Sequence, residues 1–233
     1  MRTGRLTAYV ARRVVFSALA SLALVCLMIV GHAHAQAQPP ACPPPAPTQG
    51  APAPQTALGA AEPTPEQIVA CVSAQPITGA TFLDWLTVAR KDDGPASKHS
   101  PSKDSQLVSE VMGFLISSDW VIGEAQERHI VISETKVRHT YDHIRHQQFP
   151  RNREFKAFLK SSGETVADLL FRVRLNLLSA KIQRQVIAGH HGAHSQKQAL
   201  SRFVREFKTR WQAQTYCEPA YAVSDCGHVQ APL

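Results

Sequence analysis

Ten prolines fall between residues 39 and 65 of this 233-residue chain, in "PPACPPPAPTQGAPAPQTALGAAEPTP". Each proline removes an amide donor and fixes a backbone angle, and the alanines between them offer little to bury. Such a stretch cannot build a core. It predicts a semi-extended, disordered linker over 36–65. The linker divides the chain into an N-terminal segment, 1–35, and a body, 66–233, whose size suits one domain.

The N-terminal segment has the pattern of an export signal. Arg2, Arg5, Arg12 and Arg13 precede the uncharged apolar run "VVFSALASLALVCLMIVG" at 14–31, and "AHA" (33–35) and "AQA" (35–37) then offer small-residue cleavage sites. An uncleaved run of this length sits near the lower limit for anchoring in a bilayer. Cleavage predicts a mature chain starting near Gln36 or Gln38. Either outcome puts the body outside the cytoplasm: periplasmic, secreted or membrane-anchored through 14–31. The formal charge is +7, and without those four arginines it falls to +3, so a nucleic-acid partner is not implied.

That compartment changes the meaning of the cysteines. Cys26 belongs to the apolar run, which leaves Cys42, Cys71, Cys217 and Cys226. Disulfides persist outside the cytoplasm. Only "EPAYAVSD" separates Cys217 from Cys226, so a small closed loop is the economical pairing. Cys42 and Cys71 are left open, paired or free.

The body predicts mostly helix. "QIVACVSAQPIT" (67–78) has β-branched residues and a turn, which predicts a strand or two. Thr78 is placed to cap a helix in which Phe82, Leu86 and Ala89 share a side. After a polar loop at 92–105, Leu107, Val111, Phe114, Leu115, Ile122 and Ala125 recur at helical spacing through 106–129. Ser133 caps the next helix, which Pro150 ends, and Gly163 stops a shorter one. In 164–187, Leu170, Val173 and Leu177 form one stripe, and Phe171, Leu175, Leu178 and Ile182 form another. An apolar arc so wide marks a central helix. Leu200, Phe203, Phe207 and Trp211 stripe the final helix, over 196–215, and "YCEPAYAVSDCGH" reads as a looped strand.

No catalytic signature emerges: no phosphate loop, no C-x-x-C, no H-E-x-x-H. His139, His143 and His146 share one helical face, and neutral imidazoles so spaced could hold Zn²⁺ or Cu²⁺. The core of that helix is marked by Val137, Tyr141 and Ile144, offset by two residues, or about 200°. The histidines therefore point to solvent, where they lack the supporting groups that metal sites need. No cofactor is expected.

The order of segments carries a resemblance. "VSAQPITGATFLDWL", "VMGFLISSDWVIGEAQERHIVIS", "FLKSSGETVADLLFRVRL" and "FVREFKTRWQAQTYCEPAYAVSDC" together resemble the N-terminal helical domain of the SurA/PrsA family of extracytoplasmic chaperones and foldases, over residues 67–226. The resemblance implies a mainly α fold: a compact helical domain with a short extended start and a returning C-terminal helix, to which the expected Cys217–Cys226 bond adds a disulfide-closed tail. Many such relatives carry a parvulin-type prolyl isomerase domain before the returning helix. Here only 188–196, with His190, His191 and His194, join the two helices. A parvulin domain needs on the order of a hundred residues, so no isomerase residues can be assigned. The implied function is ATP-independent binding of unfolded or nascent exported polypeptides. The competing readings are a prolyl isomerase, a surface metal-binding protein and a subunit for one dedicated partner.

Overall fold

The computed structural model describes residue 42, residues 62–93 and residues 101–229. The segment 1–35, with the apolar run 14–31, and most of the expected linker lie outside the described residues. The described chain is mainly helical, with one small sheet. Its elements are β1 (Ile68–Val72), β2 (Gln75–Thr78), α1 (Gly79–Asp93), α2 (Pro101–Glu127), α3 (Glu134–Gln148), α4 (Asn152–Ser162), α5 (Val166–Ile187), α6 (Ala193–Gln212), β3 (Thr215–Cys217), a 3₁₀ turn (Pro219–Tyr221) and β4 (His228–Val229). Among the described residues no helix is long and apolar enough to cross a membrane.

The two ends of the body meet in the sheet, whose order is β2-β1-β3-β4. β1 pairs antiparallel with β2 and with β3, and β3 pairs parallel with β4. Ser73, at φ 53°, turns the first hairpin, and its hydroxyl donates to Gln214 Oε1 at 2.6 Å. The register sets Ala70 opposite Cys217 and Cys71 opposite Tyr216. Opposed residues share a face and successive residues alternate, so Cys71 and Cys217 lie on opposite faces. Each carries a disulfide. Cys217–Cys226 forms as its spacing predicts, and Cys42–Cys71, left open by the sequence, is also bonded; both have Cα–Cα 5.9 Å. Two disulfides indicate a non-reducing environment of the kind found outside the cytoplasm.

The main core lies between the sheet and the first two helices. Phe82 and Leu86 of α1, Met112, Ile116 and Trp120 of α2, and Val69, Val72 and Ile77 of the hairpin meet there with Trp211, Cys217 and Tyr221. A second cluster joins Val137, Tyr141 and Ile144 of α3 to Phe155 of α4 and Leu169 and Val173 of α5. A third joins Ala125, Ile130, Leu178 and Ile182. α5 feeds the second and third clusters, and its Phe171 also packs against the first, so it is central as its wide apolar arc predicts.

Local signals explain the helix ends. Thr78 Oγ1 accepts from Thr81 N at 3.3 Å. Ser133 accepts from Lys136 N at 3.2 Å. Thr165 and Asp168 form a reciprocal capping box at the start of α5. Gly163, at φ 73°, ends α4 in the left-handed conformation that a side chain disfavours.

Three expected boundaries shift. The polar stretch expected as a loop over 92–105 is helical at both ends: α1 runs to Asp93 and α2 begins at Pro101, a residue suited to a first helical turn. Residues 188–196 are shortened too: α6 begins at Ala193, which leaves 188–192 as the join. The body reaches back beyond Glu66. Pro63 is buried, Pro65 O accepts from Ala80 N at 3.0 Å, and Glu62 pairs with Arg90 at 2.8 Å. Arg90 also grips Asp104 through two bonds of 2.9 Å, which ties α1 to α2.

Candidate functional site

The returning helix α6 is anchored at one end and half-covered along the rest. Trp211 is 3 % exposed, and its ring lies against Gly123 of α2. A Cβ at Gly123 would fall 2.2 Å from the indole Cη2, so the close approach requires glycine. Glu124, 1 % exposed, is the polar partner: its carboxylate accepts from Trp211 Nε1 at 2.8 Å, from Arg128 Nε at 2.5 Å, and from Arg210. A buried carboxylate with three donors, two of them cationic, is satisfied in place. Thr215 continues the anchor. Its hydroxyl donates to Trp211 O at 2.8 Å and accepts from Trp120 Nε1 at 2.7 Å.

Towards its N-terminus α6 is less covered. Leu200, Phe203 and Phe207 are all only partly buried, and Val204 beside them is 58 % exposed. The Phe203 and Phe207 rings lie tilted to each other at 5.5 Å, Phe207 meets Trp120 edge-on at 6.0 Å, and the Arg128 guanidinium lies 5.0 Å over Phe203. The expected stripe of Leu200, Phe203, Phe207 and Trp211 therefore exists, but only Trp211 is fully core. Phe203 packs on the cluster around Ala125 and Ile182 and Phe207 on the main core, so the stripe is only partly open, with Val204 exposed at its edge.

α2 also carries Asp119, a carboxyl that burial pushes up to about 6. Across α1, α2 and α5, Arg172 lies 4.8 Å over Trp85 and 5.3 Å over Phe114, and its Nε is 3.2 Å from the buried Glu164. That Nε is not aligned for a hydrogen bond, and the guanidinium is further held by its contact with the two rings.

The histidines divide into two sets. His139, His143 and His146 are exposed along α3, opposite the buried Val137, Tyr141 and Ile144. His143 is held below the ordinary imidazole value by desolvation and by the neighbouring His139 and His146. His190 and His191 sit in the 188–192 join, while His194 lies in the first turn of α6, where its Nε2 is 2.9 Å from Gln198. Among the described residues no three His, Cys, Asp or Glu side chains are grouped so as to hold a metal ion.

Sequence reasoning found the stripe and the tail disulfide but missed the Glu124 anchor. The only signal for it was the spacing of Glu124 and Arg128, one helical turn apart; Arg210 and Trp211 come from 86 and 87 residues away. Comparison with known proteins finds no match to a family model, a curated protein or a solved structure.

Proposed function

We propose that this is an exported, ATP-independent chaperone-like protein that holds unfolded or extended polypeptides. The half-covered stripe of Leu200, Phe203 and Phe207 on α6, with Val204 exposed beside it, carries this reading. A client segment needs apolar surface and adaptable contacts, without a shaped catalytic pocket. The fold adds support. A hairpin start, a set of helices and a final helix whose Trp211 packs back on Gly123 of α2 agree with the arrangement the resemblance to the SurA/PrsA N-terminal domain implies. The two disulfides suit work in an oxidising compartment.

Prolyl isomerisation is the rival. Its barrier of about 18–20 kcal/mol arises from amide resonance and demands a pocket that twists the bond. The join of 188–192, between α5 and α6, is too short to carry a second domain. The test adds the mature protein, without ATP, to a denatured client and follows light scattering, and in parallel follows a proline-limited refolding reaction. Aggregation should fall while refolding keeps its uncatalysed time of tens to hundreds of seconds. Accelerated refolding at substoichiometric protein would replace the chaperone reading with an isomerase. No protection at several-fold excess would point to one dedicated partner.

A further inference from the structure

Charge within the body is strongly divided. Residues 128–210 hold 17 Lys and Arg against 6 Asp and Glu, together with 7 of the 11 histidines. Residues 62–127 hold 4 Lys and Arg against 10 Asp and Glu. The cationic part is the helical end built from α3, α4, α5 and α6, and the anionic part is α1, α2 and the hairpin.

The charge is most open on the hairpin of α3 and α4. Both helices bury one side in the cluster around Val173, and α4 also packs against α1; the residues away from these contacts are exposed. Lys136 on α3 and Arg153, Lys156 and Lys160 on α4 are all exposed there, and no carboxylate among the described residues pairs with them. Arg153, Lys156 and Lys160 fall at i, i+3 and i+7, on one face. Lys136 begins the row that continues through His139, His143 and His146. The acids nearby are already engaged: Glu134 with Arg174, and Glu154 with Arg151 at 3.4 Å.

We propose that the outer face of α3 and α4 docks on an anionic membrane surface, binding phospholipid headgroups through Lys136, Arg153, Lys156 and Lys160. Three observations select that occupant. The charges are exposed on two successive helices, without carboxylate partners among the described residues, which suits an extended anionic surface. No aromatic side chain is exposed on either helix, since Tyr141 and Phe155 are buried and Phe149 and Phe158 are partly covered; bases of a nucleic acid would find nothing to stack on. The disulfides indicate a non-reducing environment of the kind found outside the cytoplasm, where a membrane surface is within reach.

The test is vesicle flotation with the mature protein, begun at Gln38 so that the apolar run 14–31 is absent, comparing phosphatidylcholine vesicles with vesicles containing about a third phosphatidylglycerol. Each basic residue near such a surface contributes roughly fivefold to partitioning, and screening sets in over a Debye length of about 8 Å at physiological salt. Anionic vesicles should be preferred at low salt. The variant K136Q/R153Q/K156Q/K160Q should lose at least about tenfold of that preference. K197Q/R202Q/R205Q, which removes exposed charge from α6, should lose less. Both variants must keep the wild-type unfolding midpoint; if the quadruple variant unfolds, K156Q/K160Q alone should still lose at least about fivefold. Equal binding to both vesicle types, or equal losses in the α4 and α6 variants, would overturn the proposal. So would single-stranded DNA binding that survives salt sufficient to release the vesicles.

Discussion

Gly123→Ala tests the anchor that holds α6. In an open helix, alanine in place of glycine stabilises by about 1 kcal/mol. Here the added Cβ would lie 2.2 Å from Trp211 Cη2 and 2.6 Å from Cζ3. Neither side yields easily. α2 runs through the core, and the indole is fixed by its bond to Glu124 at 2.8 Å. Overpacking costs about 1–3 kcal/mol, and so severe an overlap belongs at the upper end. Set against the helix gain, the net loss is about 2 kcal/mol. It rises towards about 4 kcal/mol if the ring's displacement breaks the hydrogen bond to the carboxylate. For a body of this size, 2 kcal/mol lowers the melting temperature by roughly 4–8 °C. Gly113, on the same helix, is the control: its nearest neighbour would be Asp225 Oδ2 at 3.8 Å, an ordinary contact. Gly113→Ala should be neutral or stabilising. Thermal unfolding of both variants decides the matter, and an equal response of the two glycines would refute the close approach.

Other consequences can be measured separately. Glu124→Gln leaves Arg128 and Arg210 without their shared carboxylate and should destabilise by about 3 kcal/mol in urea unfolding. Asp119 is a carboxyl whose folded value is raised to about 6 from 3.8, so it opposes folding when ionised. Its cost, up to about 3 kcal/mol, is fully present above pH 6 and is relieved as pH falls towards 4; Asp119→Asn should raise stability at pH 8 and flatten that part of the profile. Cys217→Ser with Cys226→Ser opens a loop of nine-residue separation and should cost about 2–3 kcal/mol on the chain-entropy model, read as a lowered urea midpoint. Peptide mapping without reductant should recover Cys42 linked to Cys71; free thiols there would contradict the pairing.

Much of the fold was legible because its signals are local. The capping threonine at 78, the capping serine at 133 and the stop at Gly163 each lie within one turn of the boundary they set, whereas the box at Thr165 and Asp168 went unread. The apolar arc of α5 announced a central helix for the same reason. The start of α2 was missed because "PSKDS" has no apolar period; its helix is held by Arg90 and Asp104, which sequence does not place together. Pairing of Cys42 with Cys71 was undecidable, since 29 residues of proline-rich chain fix no distance. The site was half-legible. Spacing gives the stripe of Leu200, Phe203, Phe207 and Trp211, but the division into one buried anchor and three half-open residues depends on Gly123 and Glu124, packed from another helix.

Client binding along α6 is the central claim, and hydrogen exchange measured with and without an unfolded, apolar client reads it directly. In the free protein, amides of 197–204 should exchange faster than those of 208–212, beside the Trp211 anchor. With client present and ATP absent, protection should appear across 200–207, and Val204→Glu, at an exposed position, should abolish it without lowering the melting temperature. Client-induced protection that spares 200–207, or that survives Val204→Glu unchanged, would contradict the account.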